Sequence, residues 1–267
     1  MRVALGQFGA GLDKQENLDR MSELTAQAAR AGAELAVFPE GAMVGGRPGE
    51  DLTPYAEPLD GRFVDGLREA AGRNGVAIVA GLFEPGDGGR VFNTVVAIGP
   101  GGEVLGSYRK IHLYDAFGDQ ESARIQPGDG RTMVFSLAGL SVGVMTCYEL
   151  RFPEMARQLV ERGAELILLP AAWVRGPLKE LHWETLGRAR AIENTVYLAA
   201  CGQVNERCIG LSAIYDPMGV AVAAGDESEQ LVVGEVSRAR VLEVRRRNPS
   251  LEMRRPDIYA GWQPVHR

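Results

Sequence analysis

Cysteine is scarce in this 267-residue chain, which holds only Cys147, Cys201 and Cys208. An odd number at those spacings matches neither a disulfide framework nor a zinc pattern, and a reducing, cytoplasmic setting fits it best. Long apolar runs are missing too. No window approaches about 18 uninterrupted apolar residues, so no membrane span is expected. The opening "MRVALGQFGAG" reads as a strand and not as a cationic stretch with an apolar core, so no export signal is expected either. No GxGxxG or GxxxxGK[ST] motif and no low-complexity segment occurs. Positive charge is in the minority, with 29 Lys and Arg against 35 Asp and Glu and a formal net charge of −6. That balance disfavours nucleic acid or an anionic membrane as the main partner. One local exception is "RRRNPSLEMRR", with Arg245, Arg246, Arg247, Arg254 and Arg255. It lacks interleaved aromatics and is expected to be a solvated or subunit-contacting tail.

What is present is a folded composition, 45% hydrophobic and 24% charged, enough for one domain over 1–267 with a C-terminal tail from about 245. Apolar periodicity predicts strands in "RVALGQF", "ELAVFPE" and "VAIVAGLFE", separated by amphipathic helices in "QENLDRMSELTAQAARAG" and "GRFVDGLREAAGRNG". A hairpin, "VFNTVVAIG" and "VLGSYRK", follows. Residues 111–130 read as a long loop, and such loops are more often functional than idle. The second half replays the first through "LSVGVMTC", "PEMARQLVERG", "AELILLPAAW", "LKELHWETLGRARAIEN" and "TVYLAACGQV", closing on the hairpin "GLSAIYDPMGVAVAAG". Many of these strands are apolar throughout and look buried on both faces, whereas the helices can cover only one. The fold class expected is therefore α/β, a four-layer α-β-β-α sandwich of two pseudo-duplicated halves.

Three strand ends finish on chemically capable residues: Glu40 in "AVFPEGA", Lys110 in "SYRKIHL" and Cys147 in "VMTCYEL". Taken singly, these are a solvent carboxylate, a surface cation and core filler. Together, at the carboxyl ends of strands where sites gather, they supply a thiol, a carboxylate to take its proton and an ammonium to hold an oxyanion. A thiol on a sharp turn near positive charge is expected to have a pKa below its free value of about 8.5. The order "FPEGA", "YRKIHL", "CYELRFPE" resembles the Glu-Lys-Cys triad of the nitrilase superfamily of carbon-nitrogen hydrolases, and the likeness runs from "VALGQF" to "RRPDIY". "CYELRFPE" with "HWETLGRARAIEN" is most similar to the branch containing omega-amidases and deaminated-glutathione amidases.

That resemblance implies the same four-layer fold and hydrolysis of a small carboxylated amide through a cysteine thioester, with no metal or organic cofactor and with assembly into homodimers or larger homo-oligomers. It assigns Glu40 as base, Lys110 and the Tyr148 N–H as oxyanion donors, and Glu121 in "DQESARIQPGD" as the group that orients Lys110 and the substrate amide. Arg151 would either pair with a substrate carboxylate or tie its turn to a helix, and Trp173 with Tyr148 would wall the pocket or sit in the core. Glu149 stands where the pattern "CYDxRFPE" has aspartate, and its extra methylene is expected to reshape the pocket. N-carbamoyl and nitrile hydrolysis use the same triad and stay open, as does a catalytically silent scaffold on this fold. A Cys-His hydrolase would need a histidine, and His112, His182 and His266 read as structural or solvent-facing. Cys201 and Cys208 read as core or incidental.

Overall fold

Strand β1 (Arg2–Gln7) leads to Asp13, whose carboxylate accepts the N–H groups of Gln15 and Glu16 and so starts helix α1 (Lys14–Arg30). Strand β2 (Leu35–Val37), helix α2 (Arg62–Asn74) and strand β3 (Ala77–Pro85) follow, with Gly75 in the left-handed conformation closing α2. The hairpin strands β4 (Val91–Ile98) and β5 (Val104–Arg109) complete the first half, and a two-residue strand β6 (Ile125–Gln126) lies beside β4. The second half runs β7 (Met133–Leu137), β8 (Leu140–Val144), α3 (Pro153–Glu161), β9 (Leu166–Ala171), α4 (Lys179–Asn194), β10 (Tyr197–Gly202), β11 (Ala213–Tyr215) and β12 (Ala221–Ala224). Strand β13 (Gln230–Glu235) and helices α5 (Arg238–Arg247) and α6 (Pro256–Tyr259) end the chain. This computed structural model describes residues 1–46 and 49–262.

Among the described residues two sheets form. One has the order β13, β1, β2, β3, β4, β5, and the other, read from its β7 edge, has the order β7, β8, β9, β10, β11, β12. Both give the same succession of antiparallel, parallel, parallel, antiparallel and antiparallel neighbours. The duplicated pattern of the sequence is thus a duplicated sheet.

Side chains two apart share a face of a strand, and that period builds the layers. Val3, Leu5, Leu35, Val37 and Val79 join one core with residues of the second sheet, while Ala4, Ala36, Ile78 and Ala80 form another with Met21 and Leu24 of α1 and Phe63 and Leu67 of α2. Met155 and Leu159 of α3 and Trp183 of α4 cover the outer face of the second sheet. Helix, sheet, sheet, helix is the resulting order, as the apolar strands predict.

Five elements were not read from the sequence: β6, β7, β13, α5 and α6. Strand β13 pairs with β1 from the far end of the chain, Arg2 opposite Glu235, and only Val232 and Gly234 of it are buried. A half-exposed strand carries a weak local signal. Helix α5 is dominated by arginine and buries just Val241 and Val244. Arg245 belongs to that helix and reaches the Thr195 carbonyl at 3.3 Å, so the tail starts later than expected, and Arg254 pairs with Glu161 of α3.

Candidate active site

Each candidate leaves the sheets for a physical reason. After β2 the chain turns through Pro39 and Glu40 and lies against Gly81 of β3. A methyl group on Gly81 would stand 2.6 Å from the Gly41 nitrogen and 2.9 Å from the Glu40 Cα, so only glycine permits this approach. Lys110 extends β5 by one pairing, its N–H donating to the Asn93 carbonyl at 2.8 Å. Cys147 follows β8 on a sharp turn with φ of +46°, in the left-handed region that side chains disfavour. Glu149 secures this turn: its N–H donates to the Thr146 carbonyl at 3.0 Å and its Oε2 accepts the Thr146 N–H at 2.7 Å.

The three meet in one place. Lys110 Nζ donates to Glu40 Oε1 at 2.8 Å and to Glu121 Oε1 and Oε2 at 3.1 and 2.9 Å. Glu40 Oε1 also accepts Asn93 Nδ2 at 2.8 Å, and Oε2 accepts the Ala172 N–H, beyond β9 of the other sheet, at 2.8 Å. Glu121 sits on a single 3-10 turn, Glu121–Ala123, within the loop that follows Lys110, and accepts the Tyr114 N–H at 2.6 Å. Glu40, Lys110, Glu121, Cys147, Tyr148 and Trp173 line one cavity of about 440 Å³.

Burial would raise the Glu40 carboxyl, but the charge and hydrogen bond of Lys110 outweigh it, with further help from Cys147 and the Ala172 N–H, and hold it below the usual range. Burial alone would lower Lys110; the carboxylates of Glu121 and Glu40 instead push it well above its ordinary value. The expectation of an acidified thiol is overturned. Burial first, and then the Glu40 charge, push Cys147 well above a free thiol, and Lys110 offsets this only in part. The reason is that burial withholds the solvation a thiolate needs, and the adjacent Glu40 carboxylate repels a second negative charge.

Arg151 is the sequence candidate that does not line the cavity. It lies half-buried behind the wall, its guanidinium carbon 4.9 Å from the Trp173 ring centroid and Nη2 3.3 Å from His182 Nδ1. Glu149 does not line it either. Its fully buried Oε1 accepts the Tyr108 hydroxyl at 2.5 Å and the N–H groups of Ile111 and His112 at 3.0 and 3.2 Å, so the longer side chain braces the segment after Lys110 against the cysteine turn instead of reshaping the pocket. His112 stacks on Phe152 at 4.0 Å and faces Glu149, away from the cavity. Cys201 is buried between the sheets, its thiol donating to the Val37 carbonyl at 3.1 Å. Cys208, expected to be incidental, is part of the cavity wall, where burial pushes its thiol up to about 11. His266 lies outside the described residues.

A carbon-nitrogen hydrolase family model matches residues 2–246. The chain belongs to the carbon-nitrogen hydrolase family. It is 42% identical over 256 residues to a deaminated glutathione amidase of Escherichia coli O157:H7, spanning 96% of this chain and 97% of that one. To an omega-amidase of Xenopus tropicalis it is 33% identical over 272 residues, spanning 97% and 96%. An amidase from Nesterenkonia sp. superposes with a TM-score of 0.85 at 29% identity, covering 98% of this chain and 96% of the other. A glutamate-to-glutamine mutant of the Nesterenkonia sp. AN1 amidase, at TM-score 0.84, 29% identity and coverage of 98% and 97%, shows covalent addition of the acetamide moiety of fluoroacetamide at its active-site cysteine.

Sequence reasoning missed two members of this carbon-nitrogen hydrolase site. Gln203 Nε2 donates to the Glu40 carbonyl at 2.8 Å, fixing the turn from the other sheet. Asn93 Nδ2 bridges the two carboxylates, at 2.8 Å from Glu40 and 3.2 Å from Glu121. A signal for it existed: an amide in the mostly apolar "VFNTVV" of a buried strand needs partners. Replacing Asn93 by Ala is expected to lower kcat by about tenfold with little change in KM, as one charge-assisted hydrogen bond of about 1.5–3 kcal/mol orients the reacting groups and not the substrate. Equal losses in kcat and thermal stability across Asn93→Ala and Asn93→Ser, with KM rising, would contradict a positioning role. No helix among the described residues is long and apolar enough to cross a membrane, and no group of three or more His, Cys, Asp and Glu there could hold a metal ion.

Proposed function

We propose that the chain releases ammonia from a small carboxylated amide through a thioester at Cys147, with Glu40 as the proton carrier, Lys110 and the Tyr148 N–H as oxyanion donors, and Glu121 holding Lys110. The observation that carries this reading is the buried Lys110 ammonium, pinned between Glu40 and Glu121 in the same cavity as the Cys147 thiol. Because the thiol rests protonated, proton transfer and attack belong to one step. The Cys147 proton passes to Glu40 as the sulfur bonds to the amide carbon and the carbonyl π electrons move to oxygen, beside Lys110. Collapse of that oxyanion breaks the C–N bond, the nitrogen takes the proton from Glu40, and ammonia leaves. Water then gives a proton to Glu40 as it attacks the thioester, the C–S bond breaks, and the sulfur takes the proton back.

Support for the carboxylated class comes from the names of two relatives, a deaminated glutathione amidase and an omega-amidase. A cytoplasmic location is consistent with three unpaired cysteines. Self-association is supported by the exposed apolar side chains Leu181 and Ile192 on α4 and Met218, Val220 and Val222 around Gly219, which packs against Ile192, and light scattering on the purified protein tests it.

Ammonia release from purified protein against a panel of ω-amides, with Cys147→Ala as the blank and intact mass to trap the acyl adduct, tests the activity. No adduct and no ammonia on any amide would reject it. The pH profile is a sharper test. Glu40 is held below the usual range while Cys147 and Lys110 are pushed above theirs. The competent state therefore persists on both sides of neutrality, and kcat/KM should stay flat from about pH 6 to about pH 9, with no limb at the free-thiol value of about 8.5.

A further inference from the structure

Lys179 is the first residue of α4 and is 3% exposed, yet among the described residues no carboxylate pairs with it. Its Nζ donates to the Tyr114 hydroxyl at 3.0 Å and stands over the rings of Phe117 at 4.3 Å, Tyr114 at 4.9 Å and Trp173 at 5.2 Å. Arg151, equally without a carboxylate, faces the same Trp173 and Phe117 rings from behind at 4.9 and 5.4 Å. Two cations thus share one aromatic cage with no counter-ion among the described residues. Ring faces offset only part of the desolvation of such charges.

The local sequence opposes this arrangement as well. A lysine at the first position of a helix sits at the positive end of the helix dipole. Leu178 just before it is 66% exposed and held at φ of +57°, a conformation leucine avoids. Local rules broken at adjacent positions, with no compensating charge among the described residues, mark a group kept for a ligand. Lys179 and Tyr114 both line the cavity that holds Cys147. The Tyr114 backbone N–H is bound to Glu121 while its hydroxyl meets Lys179, so one tyrosine spans the distance between the reacting end and the cation.

We propose that Lys179 and the Tyr114 hydroxyl form the seat for a carboxylate at the far end of the substrate's acyl chain, with Arg151 keeping that seat positive from behind. This rests on the amidase reading. The ammonium has N–H groups to spare, and the Tyr114 oxygen accepts from Lys179, which leaves its own hydrogen free to donate to the same carboxylate. Seated there, an acid supplies a counter-charge that the cage lacks and aims the amide of a short, unbranched dicarboxylic monoamide at Cys147. A neutral amide of equal length leaves both cations uncompensated.

The test compares glutaramate, the monoamide of a five-carbon dicarboxylic acid, with pentanamide. Wild-type protein should prefer glutaramate, and Lys179→Met should cut the ratio of the two kcat/KM values by about 10- to 100-fold, the value of a charge-assisted hydrogen bond, chiefly through KM. Lys179→Arg should restore part of the ratio, and Tyr114→Phe should lower it by a smaller factor. Calorimetric titration of glutarate into Cys147→Ala protein reads the same seat without turnover and should lose its signal when Lys179→Met is added. A wild-type preference for pentanamide, an unchanged ratio in the Lys179→Met and Tyr114→Phe proteins, or glutarate binding indifferent to Lys179 would each overturn the proposal. The two readings fail separately. Lys179-dependent glutarate binding without ammonia release from either amide sinks the amidase reading alone, whereas ammonia release from both with an unchanged ratio sinks the seat alone.

Discussion

Glu40→Gln should cut kcat/KM by about 10²- to 10⁴-fold, the range for removing a general base, while Cys147 stays open to a small electrophile. The carboxylate is the proton's destination in both half-reactions, and an amide cannot accept that proton. The substitution keeps the volume but not the hydrogen bonding. Both Glu40 oxygens are acceptors, toward Lys110 and Asn93 on one side and the Ala172 N–H on the other. A glutamine must turn its NH2 group toward donors on one side, at about 1–3 kcal/mol for the unsatisfied pair. Rates on a simple ω-amide, intact-mass labelling with fluoroacetamide and a melting curve measure all three effects. Turnover retained by Glu40→Gln, in a protein that still melts cooperatively, would mean that another group carries the Cys147 proton.

Lys110→Met should be the more damaging change. Losing one oxyanion donor costs about 10²- to 10³-fold in rate. Here the same change also strips the cation from two buried carboxylates that share Asn93 as a neighbour. Breaking a buried ion pair by removing one partner typically destabilises by about 3–5 kcal/mol. The sign of the pH dependence follows. With Lys110 present Glu40 titrates below its ordinary value, so its contribution to stability is present above that value and fades as pH falls through the folded one. Without the cation, burial and the facing charge raise the carboxyls in the folded state, and the variant is hurt least at low pH and most as pH rises. The difference in melting temperature between wild type and Lys110→Met should therefore be large at pH 8 and shrink toward pH 5. A difference independent of pH would show that Lys110 acts as packing and not as charge.

The local rules served well where one element decides the outcome. Amphipathic periods marked α1 to α4, and the continuously apolar strands required a second sheet, because no helix can cover both faces. Where an element depends on a distant partner, local reasoning had less to work with. Strand β13 is a strand because β1 offers it an edge, and α5 is a helix with almost no apolar face. The polar residues divided along the same line: Asn93 carried a signal that went unread, an amide in a mostly apolar strand, whereas Lys179 in "GPLKE" reads like any surface lysine until three aromatic rings and the Tyr114 hydroxyl are seen around it.

The amino-acid sequence by itself determined the kinds of groups available, a thiol, an ammonium and one carboxylate at the ends of patterned strands with a second carboxylate in the loop after the ammonium, since residue type and hydrophobic period are properties of the chain. The protonation state of those groups, the bracing role of Glu149 and the withdrawal of Arg151 behind Trp173 were decided only by the tertiary structure. Electrostatic energy depends on distance and on the exclusion of water, and both are set by segments more than a hundred residues apart, such as Glu40 and Ala172, that touch only once the two sheets are packed.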